Sequence, residues 1–132
     1  MAGLLPMPNL GAYAATKSAV VGLSLSMRTE LDQLGASVDV SVLCPGFIAT
    51  DITDSRRNRP VGLGDEAPPP NAPRTTAGTV ARMTAEQVAE QVLDAVLTDR
   101  FWILTHDEYR PVIVEHATGI GTSTRPVPAP IW

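Results

Sequence analysis

A single cysteine, Cys44, leaves no internal disulfide to form. That excludes the disulfide-framed secreted domains and suits a reducing compartment. Basic residues are few: 10 Lys and Arg stand against 14 Asp and Glu, for a net charge of −4. There is accordingly no electrostatic footprint for nucleic acid or an anionic membrane. No apolar run reaches the roughly 18 residues of a membrane span. The start, "MAGLLPMPNLG", has neither the basic residue nor the long apolar run of a secretory signal. Cytoplasm is therefore the expected location. Lysine is as scarce as cysteine. Nine of the ten basic residues are arginine, and the one lysine is Lys17. Base composition can explain the arginines, but not where the lysine stands.

What is present describes one compact domain. The chain has 132 residues and is 44% apolar, too short for two ordinary domains and apolar enough for a core. Residues 11–35, "GAYAATKSAVVGLSLSMRTELDQLG", read as one long helix. Val20, Leu23, Met27, Leu31 and Leu34 recur at the helical period, and Gly35 is placed to cap the end. Its first half is small and apolar nearly all round, which predicts a sheet on one side and a helix or partner subunit on the other. Val38, Val40, Val42 and Leu43 then predict a strand over 38–44, stopped by Pro45-Gly46.

Residues 51–82 carry five prolines and little apolar periodicity, the pattern of a long loop or substrate lid. Thr84 followed by Gln87 is a capping-box signature. Val88, Val92, Ala95 and Val96 mark one face of a second helix. Residues 100–106, "RFWILTH", predict a second strand. Strand, connection with helix, strand is a βαβ unit with a parallel pair. Domain limits of 1–116 follow, with a flexible tail over 117–132 rich in glycine, threonine and proline.

Tyr13 and Lys17 are the candidate chemistry. Positions i and i+4 of a helix face the same way, so both side chains can project into one site. Followed by a valine-rich strand ending in "CPGFIAT", the "Y-x-x-x-K" opening of a small-residue helix resembles the classical short-chain dehydrogenase/reductase family. The resemblance is close over residues 1–54 and extends through the order of elements to about residue 106. It implies an α/β fold, the C-terminal part of a Rossmann-like doubly wound parallel sheet. It further implies hydride transfer between NAD or NADP and a small alcohol or ketone, and a homo-oligomer built through helix 11–35.

In such an enzyme the carbonyl oxygen gains a proton as the carbon gains hydride, so a positioned acid is needed. An unperturbed tyrosine has a pKa of about 10, and a neighbouring ammonium favours its ionised form. The resemblance makes Tyr13 the proton donor or acceptor. Lys17 supports it and also bonds the nicotinamide ribose, a task for a compact ammonium rather than a planar guanidinium. It also assigns cofactor contacts to Pro45, Gly46, the backbone of Ile48 and the hydroxyl of Thr50, at the carboxyl end of the strand where open α/β sheets bind ligands.

The same resemblance shows what this stretch does not carry. The family's catalytic serine falls at or just before Met1, and residues 1–12 hold no serine or threonine. No Gly-x-Gly-x-x-Gly run occurs anywhere in the chain. The sequence is thus expected to be the C-terminal half of a longer dehydrogenase. Two functions remain open: an oxidoreductase, favoured by the motifs, or a non-catalytic remnant or interaction fragment, favoured for the chain taken alone. Weaker features are Arg56, Arg57 and Arg59, read as a solvated loop rather than an anion site. Cys44 and His106 are expected to end neighbouring strands, too few for a metal site. Phe101 and Trp102 are expected to pack in or under the last strand, and Met27 and Met83 to fill gaps.

Overall fold

The structure, a computed structural model, describes residues 1–5, 7–50 and 82–126. The expected lid over 51–82 and Arg56, Arg57 and Arg59 therefore lie outside the described residues, save residue 82. The elements are helix α1 (Gly11–Leu34), strand β1 (Val42–Cys44), helix α2 (Ala85–Leu97), strand β2 (Trp102–Leu104), a short 3-10 turn (Asp107–Tyr109) and helix α3 (Arg110–Gly121). β1 and β2 pair in parallel, with Val42 beside Trp102, Leu43 beside Ile103 and Cys44 beside Leu104.

α1 ends as its sequence dictates. Gly35 adopts the left-handed conformation, φ 59°, which costs glycine no Cβ clash. The Ala36 N–H reaches the Leu31 carbonyl and the Gly35 N–H reaches that of Asp32, the paired bonds of a Schellman stop. α2 starts on the expected capping box: the Gln87 N–H donates to Thr84 Oγ1 and the Thr84 N–H donates to Gln87 Oε1. Ala95 is fully buried and Val88 and Val92 are half-buried, whereas Val96, expected on the same stripe, is 61% exposed. The stripe turned to the sheet is thus Val88, Gln91, Val92 and Ala95, and Val96 sits at its rim.

Both strands are shorter than their sequence pattern. Residues 38–41 gain no ladder because the opposing chain is still turning: α2 stops at Leu97 and Asp99 takes a φ of 50°. Only the Ser41 hydroxyl crosses, to the Arg100 carbonyl, before the Val42 N–H meets the Phe101 carbonyl. At the other end Pro45 has no N–H to continue the ladder. Trp102 opens β2, within the strand as expected, but does not pack beneath it. It is 40% exposed and meets Phe101 edge to face, at 4.9 Å between ring centroids.

α3 has no counterpart in the sequence reading, and residues 117–121, expected in a flexible tail, are its last turns. Tertiary packing forms it. Tyr109 and Leu5 make a buried cluster, with Met1, Leu4, Met7, Val112 and Ile113 around them. Pro111 stands in its first turn, where a missing N–H costs nothing.

The core is small and α1 contributes little to it. None of its 24 residues is buried; Val20 is 54% and Leu23 62% exposed. Among the described residues, the sheet expected against one side of α1 buries none of its side chains. Its C-terminal part is anchored by charge instead: Arg28 reaches Asp32, Asp39 and Asp99 at 3.0, 3.2 and 2.6 Å. This ties α1 to the segment before β1 and the turn before β2.

Candidate active site

Two backbone features bring the candidate residues into one region. The first is α1. Tyr13 and Lys17 lie one helical turn apart on an exposed stretch, and Lys17 Nζ stands 5.3 Å from the Tyr13 ring centroid, within cation–π range. Among the described residues Lys17 has no carboxylate partner. Its ammonium donors and the Tyr13 hydroxyl remain available to a ligand.

The second feature is the turn after β1. The Gly46 N–H donates to Thr105 Oγ1 at 3.0 Å. A short parallel bridge then pairs Ile48 with Met83. In it the Met83 N–H donates to the Phe47 carbonyl at 3.3 Å, and the Ala49 N–H donates to the Met83 carbonyl at 2.9 Å. Parallel pairing uses the groups flanking the paired residue, so the N–H and C=O of Ile48 itself face away from Met83. Thr50, the last residue before the undescribed stretch, is exposed.

The N-terminal turn joins the helix to this turn. The Met1 ammonium donates to the Pro45 carbonyl at 2.7 Å. Two residues on, Gly3 lies so close to α1 that a β-carbon would stand 2.7 Å from the Lys17 carbonyl. Ser18 Oγ donates to the Gly3 carbonyl. Three residues of chain, at most about 11 Å when extended, therefore bridge Pro45 and Lys17. The electrostatics agree. Burial lowers the Met1 amine from its ordinary pKa, Cys44 acts in the opposite direction, and the Lys17 charge lowers it further. No hydrogen bond links the helix pair to the turn directly among the described residues.

Cys44 ends β1 as expected, whereas β2 stops at Leu104 and His106 lies two residues beyond it; neither is poised as a nucleophile or ligand. Burial pushes the Cys44 thiol above its ordinary pKa. His106 Nδ1 is engaged by Thr105 Oγ1 at 2.7 Å, and its ring stacks edge to face on Tyr109. No group of three or more metal-ligating side chains gathers among the described residues. Met83, expected as filler, holds the turn through its backbone. Thr105 and Met83 were not singled out for the site, because their roles depend on partners distant in sequence.

Comparison with known proteins meets the same residues. The family model for short chain dehydrogenase matches residues 1–60, the span holding Tyr13, Lys17 and the turn. A CLA biosynthesis dehydrogenase/reductase of Lactiplantibacillus plantarum is 30% identical over 134 residues, covering 96% of this chain and 47% of its own. A 3-oxoacyl-[acyl-carrier-protein] reductase of Synechocystis is 36% identical over 61 residues, 46% of this chain and 24% of its own. The crystal structure of a short-chain dehydrogenase/reductase from Burkholderia phymatum in complex with NAD superposes with a TM-score of 0.81 at 32% identity, covering 98% of this chain and 48% of that one.

With its parallel strand pair flanked by helices, the chain belongs to the short-chain dehydrogenase/reductase family and has that family's Rossmann-like α/β fold. It spans about half the length of the L. plantarum relative and of the B. phymatum structure. No described helix is long and apolar enough to cross a membrane.

Proposed function

We propose that this chain carries the proton-transfer pair and the nicotinamide-side turn of an NAD- or NADP-dependent oxidoreductase acting on a small alcohol or ketone. One observation carries the reading. Among the described residues, Tyr13 and Lys17 lie together on an exposed helix stretch with their polar groups unspent, and the turn after β1, joined through Met1–Gly3 to the α1 backbone at Lys17, leaves the Ile48 backbone pair unspent as well. The donor set fits a nicotinamide ribose and carboxamide: ammonium, hydroxyls and an amide pair at the carboxyl end of a parallel strand.

In the direction of reduction, Tyr13 gives its phenolic proton to the substrate carbonyl oxygen. In oxidation its phenolate oxygen takes the proton of the alcohol. The bound coenzyme supplies or accepts the hydride. Lys17 places a positive charge beside the ring, which stabilises negative charge on the Tyr13 oxygen, and its remaining N–H groups hold the ribose. The Ile48 backbone would hold the carboxamide, and Thr50 would add a hydroxyl. Pro45 and Gly46 shape the approach.

Assay of the longest reading frame containing this chain tests the proposal. NADH and NADPH oxidation with a panel of small ketones should show turnover that Tyr13→Phe removes. Turnover that survives Tyr13→Phe would contradict it.

The exposed apolar side of α1 favours a second role. Val20, Leu23 and Met27 stand at helical spacing and are 54%, 62% and 44% exposed, more apolar surface than a free helix face usually shows. We propose that α1 is also the surface through which copies of this chain associate.

A further inference from the structure

Two polar side chains are buried among the described residues, Thr105 and His106, at 4% and 6% exposure. They are neighbours in sequence, and both face the turn after β1. Buried polar groups require partners, and here the partners form a chain. Gly46 N–H donates to Thr105 Oγ1 at 3.0 Å, and Thr105 Oγ1 lies 2.7 Å from His106 Nδ1.

A hydroxyl has one proton and two lone pairs. If that proton goes to His106 Nδ1, a lone pair stays aimed at Gly46. If Nδ1 were the donor instead, the hydroxyl proton would need another acceptor, and none engages it among the described residues. The consistent arrangement has Nδ1 of His106 accepting from Thr105 and the ring hydrogen on Nε2. The imidazole also fills the space over Gly46, where a β-carbon would stand 2.7 Å from Nδ1.

The contacts divide the labour along the turn. Gly46 is fixed by Thr105, and Phe47 and Ala49 are fixed by Met83. Between them Ile48 is oriented without spending its own N–H or C=O among the described residues.

We infer that Thr105, oriented by His106, is a positioning residue for the Pro45–Thr50 turn and through it for the nicotinamide end of the coenzyme. The link to the coenzyme rests on the oxidoreductase reading; the clamp itself does not. The segment just after β2 thus serves as a template for the binding turn, while β2 itself pairs with β1.

Amide hydrogen exchange on the 132-residue chain tests the clamp. Thr105→Val keeps the shape and removes the hydroxyl; it should speed exchange of the Gly46 amide by about tenfold or more, while Thr105→Ser stays within about threefold of wild type. Unchanged exchange at Gln87, in the capping box, identifies a local effect. Nitrogen-resolved NMR of the wild-type His106 ring needs no variant and should show the Nε2–H tautomer. Gly46 exchange untouched by Thr105→Val, or an Nδ1–H tautomer, overturns the clamp.

The coenzyme link is read in the longest reading frame containing this chain. Thr105→Val should raise the KM for NADH or NADPH by about tenfold with kcat within about threefold, and Thr105→Ser should restore it. Faster Gly46 exchange with an unchanged coenzyme KM overturns the link. A wild-type protein without hydride transfer would instead fail the oxidoreductase reading, and the amide and tautomer results would still decide the clamp.

Discussion

Gly46 and His106 are in direct contact across the end of the sheet: a β-carbon on Gly46 would stand 2.7 Å from Nδ1 and 2.8 Å from Cγ of the imidazole. Glycine is required there for space, since its φ lies outside the left-handed region. His106 is buried on one side by Tyr109, so the ring has little room to retreat. Gly46→Ala should therefore destabilise the chain by about 1–3 kcal/mol, the usual cost of overpacking. Chemical denaturation measures it. Combining Gly46→Ala with His106→Ala should recover part of the loss, the sign of a direct contact.

Cys44 offers a pH test. Burial raises its pKa above that of an ordinary thiol, so the folded protein holds the proton more tightly than the unfolded chain. Between the unfolded and folded values the native state binds more protons, so stability falls as pH rises through that window. Thiol-directed alkylation at neutral pH should be slow in the folded chain and fast in denaturant. Cys44→Ser should flatten the pH dependence above 9.0.

The capping box of α2 is separable from the site. Thr84→Ala removes the acceptor for the Gln87 N–H and should cost about 1 kcal/mol, as such caps do. Because Thr84 follows Met83 directly, fraying there should also loosen the Ile48 bridge. Exchange at the Ala49 amide, which donates to Met83, should rise in the same variant.

Legibility in the sequence followed the range of the interaction. The Gly35 stop and the Thr84–Gln87 box are built from residues a few positions apart, and both were readable. Strand ends were not. Val38 and Val40 look like strand, but whether they pair depends on Asp99 turning the opposite chain away. α3 was hidden because Val112, Ile113 and Val114 are β-branched and Gly119 and Gly121 weaken its end. Its support comes from Leu5, over a hundred residues away. Tyr13 and Lys17 were legible as a motif, and Pro45 to Thr50 as a turn. Gly46 and Thr105, 59 residues apart, could be joined only in three dimensions.

The exposed face of α1 predicts self-association of the 132-residue chain. Analytical ultracentrifugation should show species larger than a monomer at micromolar concentration. Leu23→Glu, placed at a residue 62% exposed, should shift the distribution toward monomer without loss of helix content. A sharp monomer for the wild-type chain would remove the association role.

Lys17 separates charge from geometry. Lys17→Ala should weaken both turnover and coenzyme binding in the longest reading frame. Lys17→Arg keeps the charge but replaces a compact ammonium with a planar fork. It should behave more like the alanine variant than like wild type.

The most direct measurement is steady-state turnover and coenzyme affinity of Tyr13→Phe in the longest reading frame containing this chain. The change removes one hydroxyl from an exposed ring and leaves the Lys17 contact with the ring face in place. Turnover should fall by about 10²–10⁴-fold while the dissociation constant for NADH or NADPH stays within about threefold of wild type. Turnover near the wild-type level would contradict Tyr13 as the group that moves the proton.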